Sequence, residues 1–216
     1  MADRWATFDC YGTLIDWNAG IGAELARLFG DERTDELLER YHVVEPEIER
    51  ETPSLPYREV MTETMRRLGA PAGEEGGLAA SLPEWPPFPE TQASLLEAHD
   101  SGWKLGILSN TDRDFLEASI ARIGVPIDHT VVAGEIGSYK PAHRHWERFF
   151  AETAADRDRL VHVAQSHFHD VVPATELGLR SIWINRRGAR AGEPPPTREL
   201  PDLTRLTETL DELVLA

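Results

Sequence analysis

The sequence predicts an α/β fold in which a parallel sheet is interrupted, after its first strand, by a helical insertion. Three observations predict it. A short hydrophobic run, Trp5-Ala6-Thr7-Phe8, stops at Asp9 and is turned by Gly12-Thr13, which reads as a buried strand ending on a carboxylate. Beyond it the chain shows helical spacings with no strand among them. From residue 90 short buried runs alternate with helical patterns, the signature of parallel strands joined by crossover helices.

Taken in order, Trp17, Ile21, Leu25 and Leu28 recur at helical spacing and Gly30 stops that helix. Thr34 is placed to cap the next one, with Asp35 and Glu36 in a first turn where the helix dipole favours acids. Leu37, Leu38, Tyr41, Val44 and Ile48 mark its apolar face, and Pro46 predicts a kink or restart. Pro56 opens a third helix carried by Val60, Met61, Met65 and Leu68 and closed by Gly69. Residues 70 to 89, rich in Gly and Pro and ending in Leu82-Pro83-Glu84-Trp85-Pro86-Pro87-Phe88-Pro89, read as a hinge or linker. Strands follow at Trp103 to Leu108, Thr130 to Ala133, Leu160 to Ala164 and Ser181 to Asn185. Helices lie around Leu95, Phe115 to Ile123, Trp146 to Phe150 and Val171 to Leu177. Pro194-Pro195-Pro196 marks a surface loop before a terminal helix.

A chain of 216 residues with 41% hydrophobic content buries a real core. Lys and Arg total 22 against 38 Asp and Glu, a formal net charge of -16. That field repels nucleic acid and anionic membranes, so neither is an expected partner. A small anionic substrate would need a local basic pocket to overcome it. The single cysteine, Cys10, excludes an internal disulfide and a thiolate metal cluster and is expected in the core. Without a basic leader or a run of about 18 apolar residues, a reducing cytoplasm is the expected location. The chain is compatible with a homodimer.

Chemistry-bearing residues converge on the carboxyl ends of the predicted strands, where open parallel sheets bind ligands. Asp9 there is a candidate nucleophile or metal ligand, with a turn-capping aspartate as the plain alternative. Ser109 and Asn110 follow a strand directly, so hydroxyl and backbone N–H can hold an oxyanion or carboxylate, or simply cap a helix. Lys140, in Gly137-Ser138-Tyr139-Lys140-Pro141, is either a surface lysine or the balance for two carboxylates. Arg40 lies three residues from Leu37 and four from Val44, which places it under the cap; a salt bridge to Glu36 or Glu39 is the alternative. Trp17 and Trp85, near the ends of the insertion, offer a pocket wall or plain core packing.

Asp9-Cys10-Tyr11-Gly12-Thr13, the strand ending in Ser109-Asn110, Tyr139-Lys140-Pro141 and the downstream Asp170 together resemble the four motifs of the haloacid dehalogenase superfamily, over essentially the whole chain. Within it, Tyr-Gly-Thr after the aspartate and Trp183-Ile184-Asn185-Arg186 most resemble the L-2-haloacid dehalogenases. The resemblance implies a discontinuous Rossmann-like core, 1–15 and 89–216, with a helical cap at 16–88. It implies Asp9, Thr13, Lys140 and Asp170 as catalytic residues, and Tyr11, Arg40, Ser109, Asn110, Gln165, Ser166 and His167 as substrate-binding ones, with no cofactor.

Two departures bear on the reaction. Phosphatases of the superfamily carry a second aspartate two positions after the first, where this chain has Tyr11. A halide leaves as a stable anion and needs no such proton donor. The segment Gln165-Ser166-His167-Phe168-His169-Asp170 holds one carboxylate where magnesium-dependent members have more. The expected activity is therefore conversion of small 2-haloacids to 2-hydroxyacids through an aspartyl ester on Asp9. A Mg²⁺-dependent phosphatase and an inactive anion-binding homologue are the alternatives.

Overall fold

The structure is a computed structural model and describes residues 2–215. Six parallel strands, β1 (Arg4–Phe8), β2 (Trp103–Ser109), β3 (His129–Val132), β4 (Leu160–Ala164), β5 (Arg180–Ile184) and β6 (Arg198–Leu200), form one sheet in the order β3-β2-β1-β4-β5-β6. All residues of β1 and β4 are buried, as expected of strands covered on both faces. The order reverses between β1 and β4, so the crevice at their carboxyl ends is the place where such sheets bind ligands.

After β1 come α1 (Trp17–Phe29), α2 (Thr34–Glu51), α3 (Tyr57–Leu68) and α4 (Gly77–Ser81), then α5 (Thr91–Asp100) leading into β2. The crossovers after β2 and β3 carry α6 (Arg113–Ile123), α7 (Ala133–Ile136) and α8 (Arg144–Thr153). The chain closes with α9 (Val172–Glu176) before β5 and α10 (Leu206–Leu213) after β6. Asp16 caps α1 by accepting from the Ala19 N–H at 3.1 Å, and Gly69 ends α3 in the left-handed conformation that glycine adopts freely.

Several local expectations are corrected. Thr34 is the first residue of α2, with no side-chain cap bond; a short 3₁₀ turn, Asp31–Arg33, precedes it, and the Thr34 hydroxyl bonds back to the Gly30 carbonyl. Helix α2 runs unbroken through Pro46 for 18 residues. Packing of Leu37, Tyr41 and Ile48 in the core outweighs the one intrahelical bond that proline removes. The segment read as a linker is folded, with Leu78, Leu82 and Trp85 all buried. Burying each contributes roughly 1.5–3 kcal/mol, which offsets the Gly and Pro content. Gly20 permits this, because a Cβ there would meet the Trp85 indole at 2.4 Å. Strand β6 was too short to show a periodicity.

The insertion enters and leaves the sheet side by side. Ile15 bridges antiparallel to Pro87, Asp16 N–H donates to the Pro86 carbonyl at 2.8 Å and Phe88 N–H to Leu14 at 3.0 Å. Its far side is pinned too. Asp112, just before α6, accepts from the backbone N–H groups of Tyr57 and Arg58 at 3.1 and 3.0 Å. A carboxylate on those unpaired first-turn donors complements the dipole of α3. The Tyr139 hydroxyl donates to the Leu55 carbonyl at 2.6 Å. Helices α1 and α2 are thereby held over the strand ends.

Candidate active site

Lys140 organises the site. Its side chain is buried, and its ammonium donates to Asp9 Oδ1 at 2.9 Å, to Asp170 Oδ1 at 2.7 Å and to the Leu108 carbonyl at 2.8 Å. All three donors are thus used, which is what a buried ammonium requires. Its loop is fixed by Asn110, whose side-chain oxygen accepts from Lys140 N–H at 2.7 Å while its amide nitrogen donates to the Lys140 carbonyl at 3.2 Å.

Asp9 follows β1, anchored by its own N–H on the Val163 carbonyl at 3.1 Å. Its Oδ2 accepts from the Thr13 hydroxyl at 3.1 Å, and that hydroxyl accepts from Gln165 N–H at 2.8 Å. The turn between them needs Gly12, at φ +91. Burial raises the pKa of Asp9, an effect that Lys140 and Thr13 oppose. Asp170 lies in a π turn, His167–Val171, of the kind found at functional sites. Burial pushes its pKa up, but Lys140 and His162 outweigh burial and hold it well below the usual carboxylate range. Lys140 lowers the pKa of both aspartates, and they part because burial and the Asp170 charge prevail at Asp9 while His162 adds to Lys140 at Asp170; Asp170 Oδ2 is buried with no hydrogen-bond partner among the described residues.

His162 was not read from the sequence as part of the site. It faces Thr7 across the β1–β4 register, and its Nδ1 accepts from the Thr7 hydroxyl at 2.9 Å when Nε2–H donates to Asp170 Oδ1, also at 2.9 Å. The signal was present as the one polar residue in the run Leu160-Val161-His162-Val163-Ala164.

These groups open into a cavity of about 260 Å³ between the strand ends and the insertion. Asp9, Tyr11, Ser109, Asn110, Lys140, Gln165, Ser166 and Asp170 all line it. Thr13 is buried behind Asp9. Tyr11 turns its hydroxyl away to Ser119 Oγ at 3.0 Å, leaving its ring as wall. The Ser109 hydroxyl is buried and unpartnered among the described residues. Trp183 Nε1 donates to the Gln165 carbonyl at 2.8 Å and fixes that strand end. Trp17 lines the cavity, whereas Trp85 packs edge-on behind Tyr11 with ring centroids 5.9 Å apart.

Two expected residues lie elsewhere. Arg40 is exposed and does not line the cavity. At about 100° per residue it projects roughly 120–180° around α2 from His42, Glu45, Pro46 and Glu49, which do. Sharing a flank with Leu37 and Val44 did not place it under the insertion, because the buried stripe centres on Tyr41. His167 is turned outward, bonded through Nε2 to the Pro194 carbonyl at 2.9 Å and packed on Trp183. The π turn brings His169 to the cavity instead, its Nδ1 3.1 Å from Ser166 Oγ. Burial first, and Lys140 with it, lowers the His169 pKa to about 4.

A parallel sheet with an aspartate pair bridged by a buried lysine at its switch point defines a hydrolase core of the Rossmann-like type. The family model for haloacid dehalogenase-like hydrolases matches residues 4–171, and the chain belongs to that family. It is similar to the (S)-2-haloacid dehalogenase of Pseudomonas sp. (strain YL), 28% identical over 200 residues, 84% of this chain and 82% of that one. The fold is that of an L-2-haloacid dehalogenase crystal structure, with TM-score 0.87 and 24% identity over 98% of this chain and 100% of the other. It is also that of the Xanthobacter autotrophicus L-2-haloacid dehalogenase with chloropropionic acid covalently bound, with TM-score 0.84 and 18% identity over 96% and 98%.

Proposed function

We propose that this protein hydrolyses the carbon–halogen bond of small 2-haloacids, with residues 16–88 acting as the cap over a core of 1–15 and 89–216. One observation carries the reading: Lys140 Nζ joins Asp9 and Asp170 at 2.9 and 2.7 Å in a cavity where Tyr11 also lines the wall. The Asp9 carboxylate attacks C2, the carbon–halogen bond breaks with its electron pair leaving on the halide, and an aspartyl ester results. Water then adds to the Asp9 carbonyl carbon and the 2-hydroxyacid departs. Asp170 Oδ2, ionised and free of other bonds, orients that water, and the proton passes on to solvent. The unpartnered Ser109 hydroxyl donates to the substrate carboxylate. Arg187, which is exposed, and the Asn110 amide both line the cavity and receive the halide in place of Arg40.

A divalent cation fits this donor set poorly. Both aspartates spend an oxygen on Lys140, and no group of three or more His, Cys, Asp or Glu converges among the described residues. The test is halide release from 2-chloropropionate and haloacetates with and without EDTA, beside a generic phosphatase substrate. Release unchanged by EDTA is expected; Mg²⁺-restored phosphatase activity would replace the reading. No helix among the described residues is long and apolar enough to cross a membrane, and buried, unpaired Cys10 supports a reducing cytoplasm.

A further inference from the structure

The cavity has a wall that plain haloacid chemistry does not use. Glu45 and Glu49 stand one turn apart on α2, both buried and both lining the cavity opposite the strand ends. Glu45 accepts from the Tyr57 hydroxyl at 2.7 Å. Glu49 is only 6% exposed, yet among the described residues it forms no salt bridge and no hydrogen bond, and its closest charged influences are Glu45 and Lys140. Its oxygens are not sealed in the core but face the cavity, where a carboxyl group without a protein partner is open to an arriving donor. Lys140 cannot be that donor, since all three of its N–H groups are spent on Asp9, Asp170 and Leu108. With Asp9 and Asp170, the cavity holds four carboxyl groups against Lys140 and Arg187. Asp9 and Asp170 are matched by those two cations, and a monoanionic haloacid brings no donor to Glu49. A zwitterion places a cation where that carboxyl group lacks a partner.

We propose that Glu49, with Glu45, forms a subsite for an ammonium group, so that the substrate of the reaction proposed above is a 2-haloacid bearing a cationic amino group. The proposal rests on that reading for the chemistry at C2 and on the Glu45–Glu49 wall for the amine. The ammonium takes no part in bond making: it donates to Glu49 while Asp9 displaces the halide. Burial raises the pKa of both glutamates, that of Glu45 to about 7 and that of Glu49 well above its ordinary value, as carboxyl groups behave when their partner is elsewhere. An arriving cation draws them back to the ionised form.

Binding and turnover are read separately on the whole protein. Calorimetric titration with β-alanine, 3-hydroxypropionate and propionate compares an ammonium, a neutral donor and a bare hydrogen at C3 of one carboxylate frame. Binding of β-alanine at least about tenfold tighter than either of the others is expected, the size of one charge-assisted contact. Glu49→Gln and Glu45→Gln should narrow that ratio, with circular dichroism checking that each folds; the wild-type comparison decides even if neither does. Equal binding of the three acids overturns the subsite. Halide release is then compared for 3-amino-2-chloropropionate and 2-chloropropionate, with the amino compound expected to have the larger kcat/KM. Release from neither, with β-alanine still preferred, overturns dehalogenation and leaves the ammonium subsite standing.

Discussion

Asp9 is the residue on which the reaction turns, and an amide in its place cannot form an ester. Asp9→Asn is nearly isosteric and keeps the bond to Thr13, so folding should persist while halide release disappears; wild-type turnover from a preparation shown by mass to be free of deamidation would end the covalent mechanism. Arg40 is the opposite case. It is exposed on the far flank of α2, so Arg40→Ala should leave kcat/KM within about twofold, the usual scale for a surface change. A tenfold loss in halide-release kinetics would return it to the pocket. Asp9 and Ser109 were legible because each ends a hydrophobic run, and strand ends are where sequence and space coincide, whereas Lys140 and Asp170 lie in loops well past their strands and were legible through the motifs they share with the family. His167 and His169 were not separable by the same means. A π turn shifts which side chains face inward, and nothing in the spacing announces it.

Helix α2 shows what periodicity yields and what it hides. Leu37, Tyr41 and Ile48 locate the helix, but the stripe they draw includes Glu45 and Glu49, and apolar spacing alone does not single out acids within it. Burial of Glu45 has a measurable cost. Its folded pKa is about 7 against 4.5 for the free side chain, so between those values the unfolded chain is ionised while the folded one holds its proton. Raising pH through that window therefore removes stability, up to something on the order of 3 kcal/mol. Buried His145 and half-buried His42 and His169, with lowered pKa values, bend the curve the other way below pH 6.5. The clean comparison is between proteins: Glu45→Gln should gain on wild type in urea midpoint as pH rises from about 4.5 to about 7. Parallel curves across that range would mean Glu45 is already ionised in the fold.

For the molecule as a whole, composition foretold the strongly negative field and the sequence pattern foretold the sheet, whereas the closeness of insertion and core depended on contacts such as Asp112 with Tyr57 that no local pattern encodes. A net charge of -16 slows the approach of an anion until salt screens it, with a Debye length falling from about 30 Å at 0.01 M to about 8 Å at 0.15 M. The kcat/KM for 2-chloropropionate should rise as an inert, non-halide salt is added across that range. A fall would show that attraction at the pocket mouth governs encounter instead.

The paired crossings at Ile15 and Pro87 also bear on how the chain comes together in time. Strand β1 must find β2 across the entire insertion, Arg4 meeting Trp103, and pairings so distant in sequence slow the search for the native state. If α1 to α4 assemble first, the Ile15–Pro87 bridge draws the two ends together, and what remains on either side is a short tether. The helices that shelter the reaction would then double as the clasp that shortens the search, and changes that loosen Trp85 against Gly20 would register in the rate of refolding before they register in turnover.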